Sequence, residues 1–198
     1  MKKKLNLNKI YKIIFPFFVF IALFSCQPIE ILDDVVFDNN LLTKISINAE
    51  QKYINNIYEI NYVDPYIDHS IKYPPLLRIN NWLEQNINVF GSQNKLILNI
   101  IEASLIRNER QNENRKQYEE KTEFYYEMHY MIEFVLQDDN DLILATTIVE
   151  AKHSTTSGKF ISLNEKEKIV DTLILETLID VSSKSKELLK KHMFEFML

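Results

Sequence analysis

The segment Thr122–Gln137, "TEFYYEMHYMIEFVLQ", constrains the fold more than any other part of the chain, because it alternates over nearly its whole length. One side carries Phe124, Tyr126, Met128, Tyr130, Ile132, Phe134 and Leu136, and the other is marked by Glu123, Glu127, His129 and Glu133. Successive side chains of a β-strand point to opposite faces, whereas a helix repeats about every 3.6 residues. The segment therefore predicts a long strand with one face in a hydrophobic core.

Three further segments predict extended chain. Asp138–Asp141 is a turn sequence, after which Leu142–His153 returns as the next antiparallel strand. Lys95–Ile106 is nearly all apolar, which is typical of a central strand covered on both faces. The segment Leu42–Tyr62 alternates in two short bursts. These bursts lie at Ile45 and Ile47 and at Ile57 and Ile60, with a break near Asn55 and Asn56.

The first helix is predicted after Pro74 and Pro75, which suit the first turn of a helix, and Gly91 is a suitable stop. Its apolar side chains recur at helical spacing, at Leu76, Ile79, Leu83 and Ile87. Trp82 lies beside Leu83 on this face. An aromatic residue on the apolar face of such a helix is expected in the core.

The second helix is predicted from Ser162, which forms a capping box with Glu165, to the end of the chain. An imperfect stripe follows it, at Ile169, Leu173, Glu176, Leu178, Val181, Leu188, Met193 and Phe196. We expect Ser182, Ser183 and Ser185 to bend or split this helix. The element order is then β-α-β-β-β-α, and two helices on one face of an antiparallel sheet make an α+β two-layer sandwich. Residues 42–198 are enough for one domain.

The amino-terminal 25 residues have the layout of a secretory signal. Five lysines precede Ile13–Phe24, a run without a polar or charged side chain. As a helix this run is only about 18 Å long, short of the hydrocarbon layer of about 30 Å. Residues 1–25 are therefore predicted to be a signal peptide.

The four residues Leu23–Cys26, "LFSC", resemble the lipobox of bacterial lipoproteins. The resemblance implies that a peptidase cleaves between Ser25 and Cys26, and that Cys26 carries a diacylglycerol and an N-acyl chain. Several acyl chains make an essentially permanent anchor. Two alternatives stay open: a secreted protein with an incidental cysteine, and an uncleaved single-span anchor.

Cleavage at this site changes the charge and leaves no free thiol. The chain has 23 basic and 28 acidic residues, and residues 1–25 contain five lysines and no acid, which leaves 18 against 28 and a net charge of about −10. This charge argues against nucleic acid as a partner. Cys26 is the only cysteine, so lipidation leaves none for a disulfide or for catalysis. Residues 26–41 are predicted to be a tether, with "DDVVF" as an alternative edge strand.

The sequence contains little that points to catalysis. The glycines Gly91 and Gly158 are too far apart for a phosphate-binding loop, and no histidine pair has metal-ligand spacing. The strongest polar cluster is "DPYIDH", in which Asp64, Asp68 and His69 precede the first helix. It is a candidate metal or acid-base site, but turn capping and a hydrogen bond from His69 to a loop carbonyl are the favoured interpretation. We therefore predict no enzyme activity, no metal and no cofactor beyond the acyl chains.

Two other polar stretches are interpreted as solvated surface. Glu127, His129 and Glu133 share one strand face, where alternate residues are ordinarily exposed. The connection Arg107–Lys121 carries nearly balanced charges, which favours a solvated hairpin tip over a phosphate-binding arm.

The chain resembles small alphaproteobacterial outer-membrane lipoproteins of unassigned function. The resemblance rests on the lipobox, on "PYIDHSIKYPP" followed by "LLRINNWLEQNI", on the long hairpin and on the terminal helix. The element order is similar to auxiliary lipoproteins of lipid-transport ABC systems and to the lipoprotein of the lipopolysaccharide translocon. Gln27 after Cys26 implies, by the enteric sorting rule, an outer-membrane protein that faces the periplasm, with inner-membrane retention as the less favoured alternative.

These resemblances imply a non-enzymatic module that binds an envelope protein partner in outer-membrane assembly or lipid transport. The alternative is a carrier that holds a hydrophobic ligand, such as a lipid, between helices and sheet. A large apolar cavity would favour the carrier, whereas an exposed apolar patch or an unpaired sheet edge would favour the partner-binding module.

Overall fold

The computed structural model describes residue 35 and residues 37–113, 115–117 and 120–198. They form the predicted α+β fold, with helices packed on a sheet. The strands are β1 (Ile45–Ile47), β2 (Gln51–Asn56), β3 (Ile87–Val89), β4 (Lys95–Gln111), β5 (Thr122–Gln137) and β6 (Ile143–Ser157). The helices are α1 (Pro75–Asn86) and α2 (Leu163–His192), and short 3-10 turns lie at Asn39–Leu41, Asp68–Ser70 and Phe194–Phe196.

The main sheet has the strand order β2-β4-β5-β6. Strands β4, β5 and β6 pair antiparallel as predicted. Strand β2 pairs parallel with β4, so the sheet is mixed and not wholly antiparallel. The chain leaves β2, forms α1 on one face and re-enters the sheet at β4, and such a crossover connects parallel strands. Strands β1 and β3 form a separate parallel pair.

The predicted bursts of Leu42–Tyr62 map only in part onto these strands. The first burst is β1, but Ile57 and Ile60 lie outside strands, and β2 occupies the segment between the bursts. Strand β2 is at the edge of the sheet, and most of its residues are exposed. A strand with little burial needs no apolar alternation, which explains why its sequence gave no clear period.

Helix α1 ends at Asn86, before the predicted stop, and continues directly into β3. Lys52 Nζ on β2 donates to the carbonyl oxygens of Leu83, Glu84 and Ile87 at 2.9, 2.9 and 2.7 Å. A lysine at the carboxyl end of a helix satisfies carbonyls that have no partner within the helix. The helix therefore ends where Lys52 of β2 caps its carbonyl oxygens.

Helix α2 begins as predicted, because Ser162 Oγ accepts from the Glu165 N–H at 3.2 Å. It is continuous over 30 residues, so the serines do not split it. Ser182 and Ser185 donate to the carbonyl oxygens of Ile179 and Val181 at 2.8 and 2.7 Å. Bonds of this kind satisfy a buried hydroxyl without breaking a helix.

Both helices pack against the same face of the sheet. Tyr130 on β5 donates its hydroxyl to the Pro75 carbonyl of α1 at 3.1 Å, and His153 on β6 lies 3.0 Å from Asp180 of α2. Trp82 is fully buried, as predicted, and its Nε1 donates to the Thr43 carbonyl at 3.1 Å. We call the face of the sheet that lies opposite the helices the outer face.

The predicted signal peptide, the Ser25–Cys26 cleavage site and most of the tether lie outside the described residues. Val35 and Phe37 of the tether are described and are not in a strand. Among the described helices, none has the length and apolar character needed to cross a membrane.

Candidate functional site

The cluster Asp64, Asp68 and His69 does not converge on one point. Asp68 is buried, and its Oδ2 accepts from the Tyr58 hydroxyl at 2.9 Å. Burial and this carboxylate raise the pKa of Tyr58. His69 Nδ1 lies 3.1 Å from the Asn61 carbonyl oxygen. No described hydrogen bond or ion pair joins Asp64 to either residue, and the described part of the chain contains no metal-ligand group of three.

The outer face carries a set of cross-strand polar pairs. His129 Nε2 lies 2.9 Å from Glu150 Oε1, and Lys152 Nζ lies 3.5 Å from Glu127 Oε1. A second row joins three strands: Asn55 donates to Asn99 at 3.0 Å, and Asn99 donates to Glu133 at 2.8 Å. The carboxylates and the imidazole that the sequence placed on this face are therefore held in pairs between strands.

Apolar side chains lie next to these pairs on the outer face. Tyr53 on β2, Ile97 on β4 and Val135 on β5 stand side by side in the register. On β6, Ile148 is 55% exposed. Three more exposed apolar residues mark the start of β6, at Leu142, Ile143 and Leu144. Strand β6 pairs with β5 on one side only in the sheet order, which makes it an edge strand.

A cleft of about 370 Å³ lies on the helix side of the molecule. It is lined by Val35, Phe37, Ser70, Ile71, Lys72, Tyr73, Leu77, Arg78, Asn81, Glu167, Val170 and Asp171. These residues come from the tether, the loop before α1, α1 itself and the first turns of α2. We call it the Arg78 cleft.

Arg78 is held on several sides in this cleft. Its guanidinium donates to Asp171 Oδ1 at 2.5 Å and to the Tyr73 carbonyl at 2.8 Å. Its carbon Cζ lies 3.3 Å from the centre of the Phe37 ring. Burial lowers the pKa of Arg78, and Asp171 opposes that change. The cation is therefore already neutralised by the protein.

The sequence did not single out Arg78, Asp171 or Phe37. Arg78 is one charge within an apolar helix face, and Asp171 is 93 positions away. The only signal was a charged residue inside the apolar stripe of α1, which requires a buried partner but does not identify it.

The connection after β4 is a hairpin with long arms. Arg110 Nε donates to Glu123 Oε1 at 2.8 Å, and the Asn112 N–H donates to the Lys121 carbonyl at 3.0 Å. Three cations surround the ring of Phe124, with Arg107, Lys166 and Lys159 at 5.0, 5.1 and 5.8 Å from its centre.

No protein-family model matches the chain, and no curated protein matches its sequence. Solved structures that are similar to it include two lipoproteins. A minor lipoprotein from Acinetobacter baumannii is 8% identical, with a TM-score of 0.42, and the match covers 74% of this chain and 96% of that one. The rare lipoprotein B from Shewanella oneidensis is 15% identical, with a TM-score of 0.39, and the match covers 72% and 95%. Similarities at this level do not transfer a function.

Proposed function

We propose that this protein is a non-enzymatic envelope lipoprotein that binds a protein partner through the outer face of its sheet. In this proposal, residues 1–25 are removed and Cys26 carries a diacylglycerol and an N-acyl chain. The protein is then anchored in the outer membrane and faces the periplasm. The partner is an envelope protein involved in outer-membrane assembly or lipid transport.

The mixed surface of the outer face carries the proposal. Tyr53 is 47% exposed and lies two residues from the paired Asn55, and Ile148 is 55% exposed and lies two residues from Glu150 of the His129–Glu150 pair. Non-obligate protein interfaces have this composition, in which apolar contact area is interspersed with hydrogen-bonding groups. The partner we expect therefore presents an apolar surface with polar groups, not a strongly charged one.

A photo-crosslinking amino acid at Ile148 tests the proposal in intact cells. We expect an adduct from Ile148 and none from Lys186, an exposed position on α2 that serves as the control. The partner is identified by mass spectrometry, and Tyr53→Asp should remove the adduct because it places a charge within the contact. Equal adducts from Ile148 and Lys186, or an adduct that Tyr53→Asp does not change, would contradict the proposal.

The Arg78 cleft supports the second candidate, a carrier of a hydrophobic ligand. Its volume and the apolar side chains of Ile71, Leu77 and Val170 suit part of a lipid chain. The paired state of Arg78 favours the partner-binding module, since the cation is not available to an anionic headgroup. Native mass spectrometry of the protein from membranes separates the two, because a carrier retains a non-covalent lipid and the partner-binding module does not.

A further inference from the structure

Large apolar side chains are exposed beside the Arg78 cleft and at the start of the helix that lines it. Tyr73 and Leu77 are 52% and 47% exposed on the side of α1. On the side of α2, Phe160 and Leu163 are 87% and 70% exposed. We call these four residues the rim. Isolated exposed apolar residues are common, but several of them beside one cleft and at the start of the helix that lines it require an explanation.

Helical spacing places Leu163 beside this cleft. Glu167 and Val170 line the cleft, and Leu163 lies four and seven positions before them in α2. Residues at these spacings share one face of a helix, one above the other. Leu163 therefore extends the wall of the cleft by one turn toward the start of α2, and Phe160 lies three residues before Leu163 in the sequence.

Lysines accompany the aromatic residues at this end of the molecule. Lys72 Nζ lies 5.3 Å from the ring centre of Tyr73, and Lys166 Nζ lies 5.1 Å from that of Phe124. Aromatic residues with neighbouring lysines are typical of surfaces at the boundary between lipid headgroups and acyl chains. Long lysine side chains keep their ammonium groups in water while their stems cover apolar surface.

The length of chain between Cys26 and Val35 limits how far the lipid anchor can lie from this cleft. Val35 and Phe37 both line the Arg78 cleft. Eight residues lie between Cys26 and Val35, so nine Cα–Cα steps join them. Even fully extended, they span at most about 32 Å. An anchor at Cys26 therefore keeps Val35, and with it the cleft, within reach of the bilayer surface.

We infer that the rim rests on the bilayer in which the acyl chains of Cys26 are inserted. This inference depends on the proposed lipid anchor. Apolar contact drives the docking, because Glu167 and Asp171 offset the cations beside the cleft and the mature chain carries a net negative charge. The outer face of the sheet, on the opposite side from the helices, then stays accessible to a protein partner.

The test uses the lipidated, full mature chain in vesicles of phosphatidylethanolamine and phosphatidylglycerol at a ratio of about 3:1, a composition with zwitterionic and anionic headgroups. A nitroxide is attached to Phe160→Cys, to Leu163→Cys or to Ile148→Cys as the control. The acylated Cys26 has no free thiol, so each variant carries one label. The collision rate of each nitroxide with oxygen is compared with its collision rate with a water-soluble nickel complex, and the ratio of the two rates reports whether the label lies in lipid or in water.

We expect the labels at positions 160 and 163 to shift toward oxygen accessibility, as in lipid, and the label at position 148 to keep the aqueous ratio. Leu77→Ser together with Leu163→Ser should reduce the shift at position 160. The control double variant, Leu144→Ser together with Ile148→Ser on β6, should leave the shift at position 160 unchanged. Rim labels with the same ratio as position 148, on protein that floats with the vesicles, would overturn the docking alone. Protein that does not float with the vesicles would contradict the anchor and the docking together.

Discussion

Arg78 on α1 and Asp171 on α2 form a 2.5 Å ion pair in which the arginine side chain is 7% exposed and the aspartate side chain is 27% exposed. The pair joins the two helices above the sheet. The ring of Phe37 stacks on Arg78, so the same arginine also contacts the segment that precedes β1.

This difference in burial predicts unequal effects of the two single substitutions. Asp171→Asn leaves a buried guanidinium without its counterion and is expected to cost about 3 kcal/mol in the free energy of unfolding. Arg78→Met leaves a carboxylate that water still reaches, so a smaller loss is expected. Urea unfolding measures both, with Glu176→Gln on the exposed side of α2 as the control. A larger loss for Arg78→Met would contradict this account of the pair.

Lys52 is predicted to stabilise the end of α1. Lys52→Met removes the donor to three carbonyl oxygens and is expected to cost about 1–2 kcal/mol in the free energy of unfolding. The hydrogen bonds at the end of α1 should also exchange faster with solvent. Lys44→Met, at an exposed position, is the matched control. Equal stability of the Lys52 and Lys44 variants would show that the three contacts contribute nothing.

Gly91 is predicted to be required by a close approach of two backbones. A Cβ at this position would lie 3.0 Å from the Ala49 backbone nitrogen, which cannot move as a flexible side chain can. Gly91→Ala is therefore expected to cost about 1–3 kcal/mol, as overpacking does. At Gly158 the nearest atom would be 3.4 Å away, an ordinary contact, so Gly158→Ala should be tolerated. Thermal unfolding of the two variants tests the difference.

We predict that protonation of Asp180 lowers the free energy of unfolding at low pH. Burial raises its pKa, but hydrogen bonds from Lys184 and His153 prevail, and the pKa lies below its ordinary value of 3.8. A carboxyl with a lowered pKa contributes stability above its unfolded-state pKa and loses it as the pH falls through the folded-state pKa. The free energy of unfolding of Asp180→Asn should therefore fall less below about pH 4 than that of the wild type. Parallel pH profiles would rule out this contribution.

Local sequence patterns predicted the elements whose formation depends on local chemistry. Strand β5 matches its period-two segment from Thr122 to Gln137, and α2 begins at the capping residue Ser162. The parallel pairing of β2 with β4 was not predicted, because it depends on a crossover and not on residues within β2. The stacking of Phe37 on Arg78 likewise depends on tertiary packing between distant segments.

The outer face was also only partly predictable. The alternation of β5 predicted that Glu127, His129 and Glu133 share one side of the strand. It did not identify their partners on β4 and β6. Those partners depend on the register of three strands. The register is set by turns and by a bulge between Ile100 and Glu102 that the composition of β4 does not reveal.

Mass spectrometry of the amino-terminal peptide, from protein purified out of membranes, shows whether Cys26 is the lipidated terminus. We expect a peptide that begins at Cys26 and carries a diacylglycerol and an N-acyl chain, and we expect Cys26→Ala to remove this species. A chain that retains residues 1–25, or an unmodified Cys26 in the membrane-bound protein, would contradict it.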